Sequence, residues 1–238
     1  MSQHTLRICI GYDHREAIAY HVLCHSIMRR ASGPVSIQPI MLSQYSRFWN
    51  RERSPLQSTD FTYARFLTPW LADQGEVSIF MDCDMLCLGD VYELASIARS
   101  DPYKDVFVVK HDYNPLTESK FLGQKQTVYP CKNWSSLIVF NGHRQAVRNL
   151  DPDYVNKAEP MALHQFQWCQ EIGGLDPEWN HLVGEYFPNP KAKLVHFTLG
   201  GPYFRGYENC EYASEWFDEL RDMQHRHSPS FDLIRHWL

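Results

Sequence analysis

The 238-residue sequence has no apolar run that approaches the roughly 20 residues needed to cross a bilayer. Basic residues do not exceed acidic ones, since 23 Lys and Arg stand against 28 Asp and Glu for a net charge of −5. This balance lacks the positive field that binds a phosphate backbone, so nucleic acid is not an expected partner. We expect a soluble, cytoplasmic protein.

Paired cysteine motifs are also missing. The seven cysteines are odd in number and irregularly spaced, and no CxxC pair occurs among them. This pattern indicates reduced thiols rather than a disulfide framework or a structural zinc site. Internal repeats and low-complexity segments are absent as well.

The end of the sequence, residues 225–238, mixes His and Arg side chains with tryptophan and leucine. Such a composition is compatible with contact to an anionic membrane surface. A solvated end with a few anchoring side chains is the commoner outcome for a segment of this kind. We therefore do not predict membrane contact through the tail.

The first part of the chain alternates strand and helix patterns. An apolar run at residues 6–12 precedes apolar residues at helical spacing over 17–27, and a second run covers 35–42. Asp13 and Glu16 have the spacing of a capping box, which predicts a helix that begins near His14. Ser58, Thr59 and Asp60 are cap candidates for a helical segment at 61–67, which Pro69 should kink or end.

A five-residue apolar strand at 77–81 leads directly into Asp82 and Asp84. Continuous apolar strands are typical of parallel sheets covered on both faces, and ligands bind beyond the carboxyl ends of such strands. Further strands are predicted at 105–109, 136–140 and 194–197. We predict an α/β fold in a single domain over 1–238.

Two carboxylates at i and i+2, in a turn after a strand, can both reach one cation. Oxygen ligands suit Mn²⁺ or Mg²⁺, which bridges the phosphates of a nucleotide sugar and stabilises the departing diphosphate. A short DxD motif is common by chance, but its place after a strand, ahead of Gly89-Asp90 and a new helix, favours a metal site. His196 lies in an apolar setting, so both a core histidine and a third ligand remain open.

The stretch around Asp82 and Asp84 resembles the signature of glycosyltransferase family 8. Other stretches of this sequence resemble that family in the same order along the chain: the strand and loop with Tyr12 and Asp13, the segment 62–66, residues 133–138, the P-x-W-N stretch at 175–180, and the segment 194–197 with its following glycines. The similarity covers about residues 6–204, and we interpret the protein as a divergent member.

The resemblance implies a GT-A fold, with a mixed, mostly parallel sheet flanked by helices. It implies a nucleotide- and metal-binding half to about residue 110, an acceptor-binding part after it, and Mn²⁺ or Mg²⁺ as cofactor. It implies a UDP-linked sugar as donor, a glycan, lipid or small molecule as hydroxyl acceptor, and retention of anomeric configuration. The implied site residues are the metal ligands Asp82, Asp84 and His196, the donor contacts Tyr12, Asp13, Arg65, Asp82, Cys83, Gly200 and Gly201, and the catalytic candidates Asn133, His164 and Gln165.

Two departures from the family pattern concern the donor. The family's Asp-Gln pair reads His164-Gln165 here, which leaves the sugar open, and no lysine follows Gly200 and Gly201 to neutralise the diphosphate. Lys191, Lys193 or Arg205 are the candidates to replace it.

Two other functions are alternatives to a glycosyltransferase. A sugar-1-phosphate nucleotidyltransferase should carry a glycine-rich loop after its first strand, which residues 11–14 lack. A catalytically silent sugar- or nucleotide-binding module of the same fold stays open until activity is measured.

Overall fold

The computed structural model describes residues 5–54, 57, 59–72, 74–112 and 130–224. The cap candidate Ser58 and the tail at 225–238 lie outside the described residues. The strands are β1 Leu6–Gly11, β2 Val35–Ile40, β3 Val77–Met81, β4 Met85–Cys87, β5 Val106–Val108, β6 Leu137–Asn141, β7 Ile172–Gly174, β8 His181–Leu182 and β9 Leu194–His196. The α-helices are α1 Ala17–Arg30, α2 Thr68–Leu71, α3 Val91–Ser100, α4 Gln145–Arg148, α5 Pro152–Lys157, α6 Pro160–His164 and α7 Ala213–Met223.

The larger sheet has the strand order β2-β1-β3-β6-β5-β7. Strand β6 runs antiparallel to both of its neighbours, whereas the β1–β2, β1–β3 and β5–β7 pairs are parallel. Every residue of β3 and β6 is buried, as the apolar runs predict for central strands covered on both faces. The predicted α/β fold with a mixed, mostly parallel sheet is confirmed.

A smaller sheet with the order β4-β9-β8 lies next to the end of β3. Strand β4 starts three residues after β3, because the chain turns at Asp82, Cys83 and Asp84. Met85 pairs with His196 across this sheet, and Leu182 pairs with His196 on the other side. The small sheet therefore brings a residue from late in the chain to the DxD turn.

The core is continuous across both halves of the chain. One cluster of buried apolar side chains runs from Leu6 in β1 to Leu194 in β9, and a smaller cluster surrounds Trp216 of α7. Helix α7 is fixed to α1 by buried Glu219, whose carboxylate pairs with Arg30 at 2.8 Å and with His25 at 2.5 Å. Among the described residues, no helix combines the length and apolar character that a membrane crossing requires.

The predicted Asp13 cap and the helix start at His14 are confirmed, since the Asp13 side chain accepts from the Arg15 amide at the start of the 3-10 helix His14–Glu16. The capping-box role of Glu16 was wrong, because its side chain turns inward and binds Tyr203. Pro69 does not end a helix; it lies in the first turn of α2, where a proline has no amide hydrogen bond to lose.

Candidate metal centre and active site

The carboxyl ends of β1 and β3 lie side by side, because Ile10 pairs with Met81 in the parallel register. The loop after β1 and the DxD turn after β3 therefore open at the same edge of the sheet, where α/β folds bind ligands. Ligand atoms of Asp82, Asp84 and His196 all lie within 4.8 Å of one another at this edge. The sequence prediction grouped these three residues, and the structure brings them together.

His196 is both a core residue and a member of this cluster. Its side chain is buried, and its Nδ1 lies 3.1 Å from Asn180 Oδ1. Its Nε2 lies 3.3 Å from Asp84 Oδ1. Ligands at about 2.1 Å from one ion in octahedral geometry stand about 3 Å apart, so this pair suits a shared divalent cation. Two carboxylates and one imidazole are also a donor set that Mn²⁺ accepts.

Arg65 reaches the cluster from the 3-10 helix Ala64–Leu67 that precedes α2. Its Nη1 lies 3.0 Å from Asp82 Oδ1 and donates to the Ser135 carbonyl at 2.6 Å. The guanidinium is almost fully buried and lies over the Phe80 ring, 4.9 Å from its centre. Arg65 therefore holds Asp82 in place; whether it also contacts a donor stays a prediction.

The two residues of the His164-Gln165 pair behave differently. His164 Nδ1 lies 2.9 Å from Ser135 Oγ, which joins it to the contacts of Arg65. Burial lowers the pKa of His164 to about 3, and the charge of Arg65 adds to this, so the imidazole is neutral. Gln165 follows the last residue of α6 and accepts a hydrogen bond from Gln167, and none of its described contacts reaches the cluster. The third catalytic candidate, Asn133, adopts a left-handed backbone conformation, φ 62°, at the start of a 3-10 helix.

The predicted donor contacts Asp13 and Cys83 are enclosed. Asp13 is fully buried and accepts hydrogen bonds from Arg15 Nε at 2.9 Å and the Arg15 amide at 3.0 Å. Burial opposes ionisation of Asp13, but the bonds from Arg15 outweigh it and hold its pKa below the usual range. Burial raises the pKa of Cys83 well above its ordinary value. Tyr12 is only partly buried, and its ring packs edge-on against Tyr20.

Gly200 and Gly201 follow β9 and have structural roles of their own. Gly200 adopts φ +133°, which favours glycine. A Cβ at Gly201 would lie 2.2 Å from the Tyr203 ring. This close approach lets the Tyr203 hydroxyl donate to Glu16 Oε2 at 2.9 Å. Donor contact by either glycine stays a prediction.

The lysines proposed to neutralise a diphosphate lie away from the cluster. Lys193 pairs with Glu93 at 2.5 Å, and it precedes His196 by three strand residues, roughly 10 Å. Lys191 is exposed and lies further along the same segment. Arg205 is also exposed and follows Gly200 and Gly201 in the chain. It remains a candidate to neutralise the diphosphate.

The sequence is 42% identical to Protein CDI of Arabidopsis thaliana over 226 residues, which is 91% of this chain and 86% of that protein. The chain belongs to the family of Protein CDI. No protein-family model matches the sequence.

Solved structures similar to this CDI-family chain are glycosyltransferases. The WbbM bifunctional glycosyltransferase gives a TM-score of 0.63 at 17% identity, and the match covers 98% of this chain and 51% of WbbM. GlyE of Streptococcus pneumoniae TIGR4 gives a TM-score of 0.60 at 11% identity, and the match covers 90% of this chain and 60% of GlyE. The chain thus spans about half of WbbM. The galactosyltransferase LgtC, solved with donor and acceptor sugar analogs, gives 0.56 at 11% identity, over 91% of this chain and 96% of LgtC. The fold of this CDI-family chain is GT-A; family 8 in particular stays a prediction.

Glu16 is a site residue that sequence reasoning missed in this CDI-family chain. Its carboxyl is buried, and burial together with the charge of Asp84 raises its pKa to about 8. The spacing of Asp13 and Glu16 fits a helix cap equally well, so the sequence carried no signal for this inward position. A cation at the cluster would favour the ionised form of Glu16.

A cavity of about 300 Å³ lies beside the cluster in this CDI-family chain. Its lining residues are Val109, Lys110, His111, Pro177, His181, Tyr186, Phe187 and Asn189. His111 Nδ1 lies 2.9 Å from the Tyr186 hydroxyl, and burial lowers the pKa of His111 to about 3. Phe187 is 94% exposed and presents its ring to solvent. Six of its eight lining residues lie after residue 110, in the part predicted to bind an acceptor.

Proposed function

We propose that this chain is a metal-dependent glycosyltransferase that moves a sugar from a nucleotide diphosphate sugar, UDP-linked, to a hydroxyl acceptor. The observation that carries the proposal is the convergence of Asp82, Asp84 and His196 at the ligand-binding edge of a GT-A fold. Under this proposal Asp82, Asp84 and His196 Nε2 hold Mn²⁺ or Mg²⁺. When bound, the cation neutralises the diphosphate and makes it a better leaving group.

The remaining residues of the site bind and orient the substrates and keep water out. Arg65 pairs with Asp82 and donates to the Ser135 carbonyl, and the Ser135 hydroxyl contacts neutral His164. The acceptor hydroxyl attacks the anomeric carbon on the face that the diphosphate leaves, so a C–O bond to the acceptor forms as the C–O bond to phosphate breaks. The departing diphosphate takes the hydroxyl proton, which accounts for retention without a protein nucleophile. Positioning and charge stabilisation supply the rate enhancement.

The acceptor site of this proposal is the cavity beside the cluster. Its aromatic lining, Tyr186 and Phe187, suits the face of a sugar ring, and His111, His181 and Asn189 offer polar groups that can bind hydroxyls. Its volume of about 300 Å³ is at the small end of ligand pockets, which favours one sugar unit or a small molecule at the reacting end of the acceptor.

An activity assay tests the proposal. Purified chain is incubated with a panel of UDP-, GDP-, CDP- and dTDP-sugars and Mn²⁺, and release of nucleoside diphosphate is measured. We expect slow release from a UDP-sugar with the wild type and none with Asp84→Asn. A chain that binds UDP and Mn²⁺ but releases nothing from any donor, with or without acceptors, is the silent binding module instead.

A further inference from the structure

Hydrogen bonds connect the Asn133 carbonyl to the ring of His196 through two side chains. Ser136 Oγ donates to the Asn133 carbonyl at 2.7 Å. Asn180 Nδ2 donates to Ser136 Oγ at 2.8 Å. Asn180 Oδ1 lies 3.1 Å from His196 Nδ1. The series therefore crosses from the segment before β6, through the P-x-W-N stretch, to β9.

The direction of each bond follows from its fixed end. A backbone carbonyl only accepts hydrogen bonds, so the Ser136 hydroxyl donates its proton to the Asn133 carbonyl. The same hydroxyl can then only accept a hydrogen bond from Asn180. The amide nitrogen of Asn180 consequently faces Ser136, and its oxygen faces His196. An amide oxygen also only accepts, so His196 Nδ1 must carry the proton. A ring with one proton then has its lone pair on Nε2, the nitrogen that is 3.3 Å from Asp84.

We propose that Asn180 is a positioning residue that fixes His196 in the Nδ1–H tautomer and so prepares Nε2 to bind a divalent cation. This inference rests on the proposed function for its metal. Asn180 is fully buried, so water has no access to take over its role. A histidine ligand whose other nitrogen donates to a fixed acceptor is held in orientation and is a stronger base, and losing that acceptor typically weakens metal binding 10–100-fold.

Two variants separate positioning from packing. Asn180→Leu keeps the branching at Cγ but removes the acceptor, so His196 should lose its single tautomer and Mn²⁺ affinity should fall about 10–100-fold. Asn180→Asp keeps an acceptor towards Nδ1, so the tautomer should persist and Mn²⁺ affinity should stay within a few-fold of wild type. The tautomer is read from ¹⁵N chemical shifts of the histidine ring in metal-free protein, and Mn²⁺ affinity from calorimetry.

Asn141→Leu is the matched control. Asn141 is equally buried and its amide donates to the carbonyls of Pro102 and Lys104 at 3.2 Å, at the opposite end of β6. This variant should lose stability without changing either the tautomer or Mn²⁺ affinity.

The wild-type spectrum decides the proposal even where Asn180→Leu does not fold. A His196 ring without a proton on Nδ1 in the metal-free wild type would overturn it, as would an Asn180→Leu protein with unchanged Mn²⁺ affinity. A wild-type chain that has the expected tautomer but binds no Mn²⁺ would contradict the proposed function instead. That result would still support the conclusion that Asn180 fixes the tautomer of His196.

Discussion

Arg65 and Asp82 form an ion pair at the base of the candidate metal centre, with 3.0 Å between Nη1 and Oδ1. The guanidinium also donates to the Ser135 carbonyl, so it ties the segment before α2 to both the DxD turn and the segment before β6. In the metal-free chain, Arg65 provides a positive charge next to Asp82.

Arg65→Ala should lower the free energy of unfolding by about 2–4 kcal/mol, because it leaves a largely enclosed carboxylate without its partner. Mn²⁺ at Asp82 would then replace part of the lost positive charge. We expect Mn²⁺ to raise the melting temperature more in the variant than in the wild type, as measured by thermal unfolding with and without the ion. Arg30→Ala, which breaks the remote pair with Glu219, is the control and should show the wild-type response to Mn²⁺. The same response in Arg65→Ala as in the control would count against the account.

His196→Ala should affect both metal binding and stability, because the side chain is a buried core residue and a member of the cluster. We expect Mn²⁺ affinity to fall at least about tenfold, or ~1.4 kcal/mol, and apo stability to fall by about 1–3 kcal/mol as a cavity and an unpaired Asn180 remain. Calorimetry and denaturant unfolding on the same preparation measure the two effects. A destabilised variant with normal Mn²⁺ affinity would remove His196 from the ligand set.

Asp105 makes the stability of the sheet depend on pH. Although burial opposes its ionisation, hydrogen bonds from Arg144 and from the amides of Gln170 and Glu171 hold its pKa below the usual range. Because the folded pKa lies below the unfolded value of about 3.9, the stabilisation is fully present above pH ~4 and is lost as pH falls through the folded pKa.

Asp105→Asn should therefore cost about 1–3 kcal/mol at pH 7, and its stability should converge with that of the wild type towards pH 3. Urea unfolding at several pH values measures this. Asp153→Asn, whose parent side chain is 93% exposed, should change little at any pH. A constant difference between Asp105→Asn and wild type from pH 7 to pH 3 would mean that ionisation of Asp105 does not contribute.

Phe187→Ala tests the acceptor cavity. Loss of the exposed ring should raise the KM for the acceptor about threefold to tenfold, because stacking on an aromatic face contributes on the order of 1 kcal/mol. Donor hydrolysis without acceptor should be unchanged. Tyr103→Ala removes another exposed ring, at the far end of β5, and should leave both values alone. Equal acceptor KM values in Phe187→Ala and wild type would place the acceptor elsewhere.

The part of the site that the sequence predicted depends on local pattern. Strand β3 and the carboxylates that follow it are adjacent in the chain, so an apolar run and a DxD motif sufficed to place Asp82 and Asp84 at a sheet edge. The apolar runs also predicted the main strands. Predicted and observed strand boundaries differ by at most two residues, because the hydrogen-bonded pairing of a strand stops where its neighbouring strand ends.

The part that the sequence did not predict depends on contacts between distant segments. The pairing of β8 with β9 brings Asn180 close to His196, and the pairing of β3 with β6 brings Arg65 close to Ser135. No local sequence pattern encodes either pairing. Glu16 was misread because its spacing from Asp13 satisfies a cap, whereas its burial depends on Tyr203, far along the chain. The cavity beside His111 likewise joins residues near 110 to residues near 185.

The most direct test of the metal-dependent nucleotide site is calorimetric titration of UDP into the wild-type chain, in Mn²⁺ and in EDTA, with Asp84→Asn as the matched variant. We expect UDP to bind with Mn²⁺, to bind at least tenfold more weakly in EDTA, and to show no Mn²⁺ dependence with Asp84→Asn, because Asp84 would help to hold a cation that neutralises the diphosphate. Equal affinity of the wild type for UDP in Mn²⁺ and in EDTA would contradict the account.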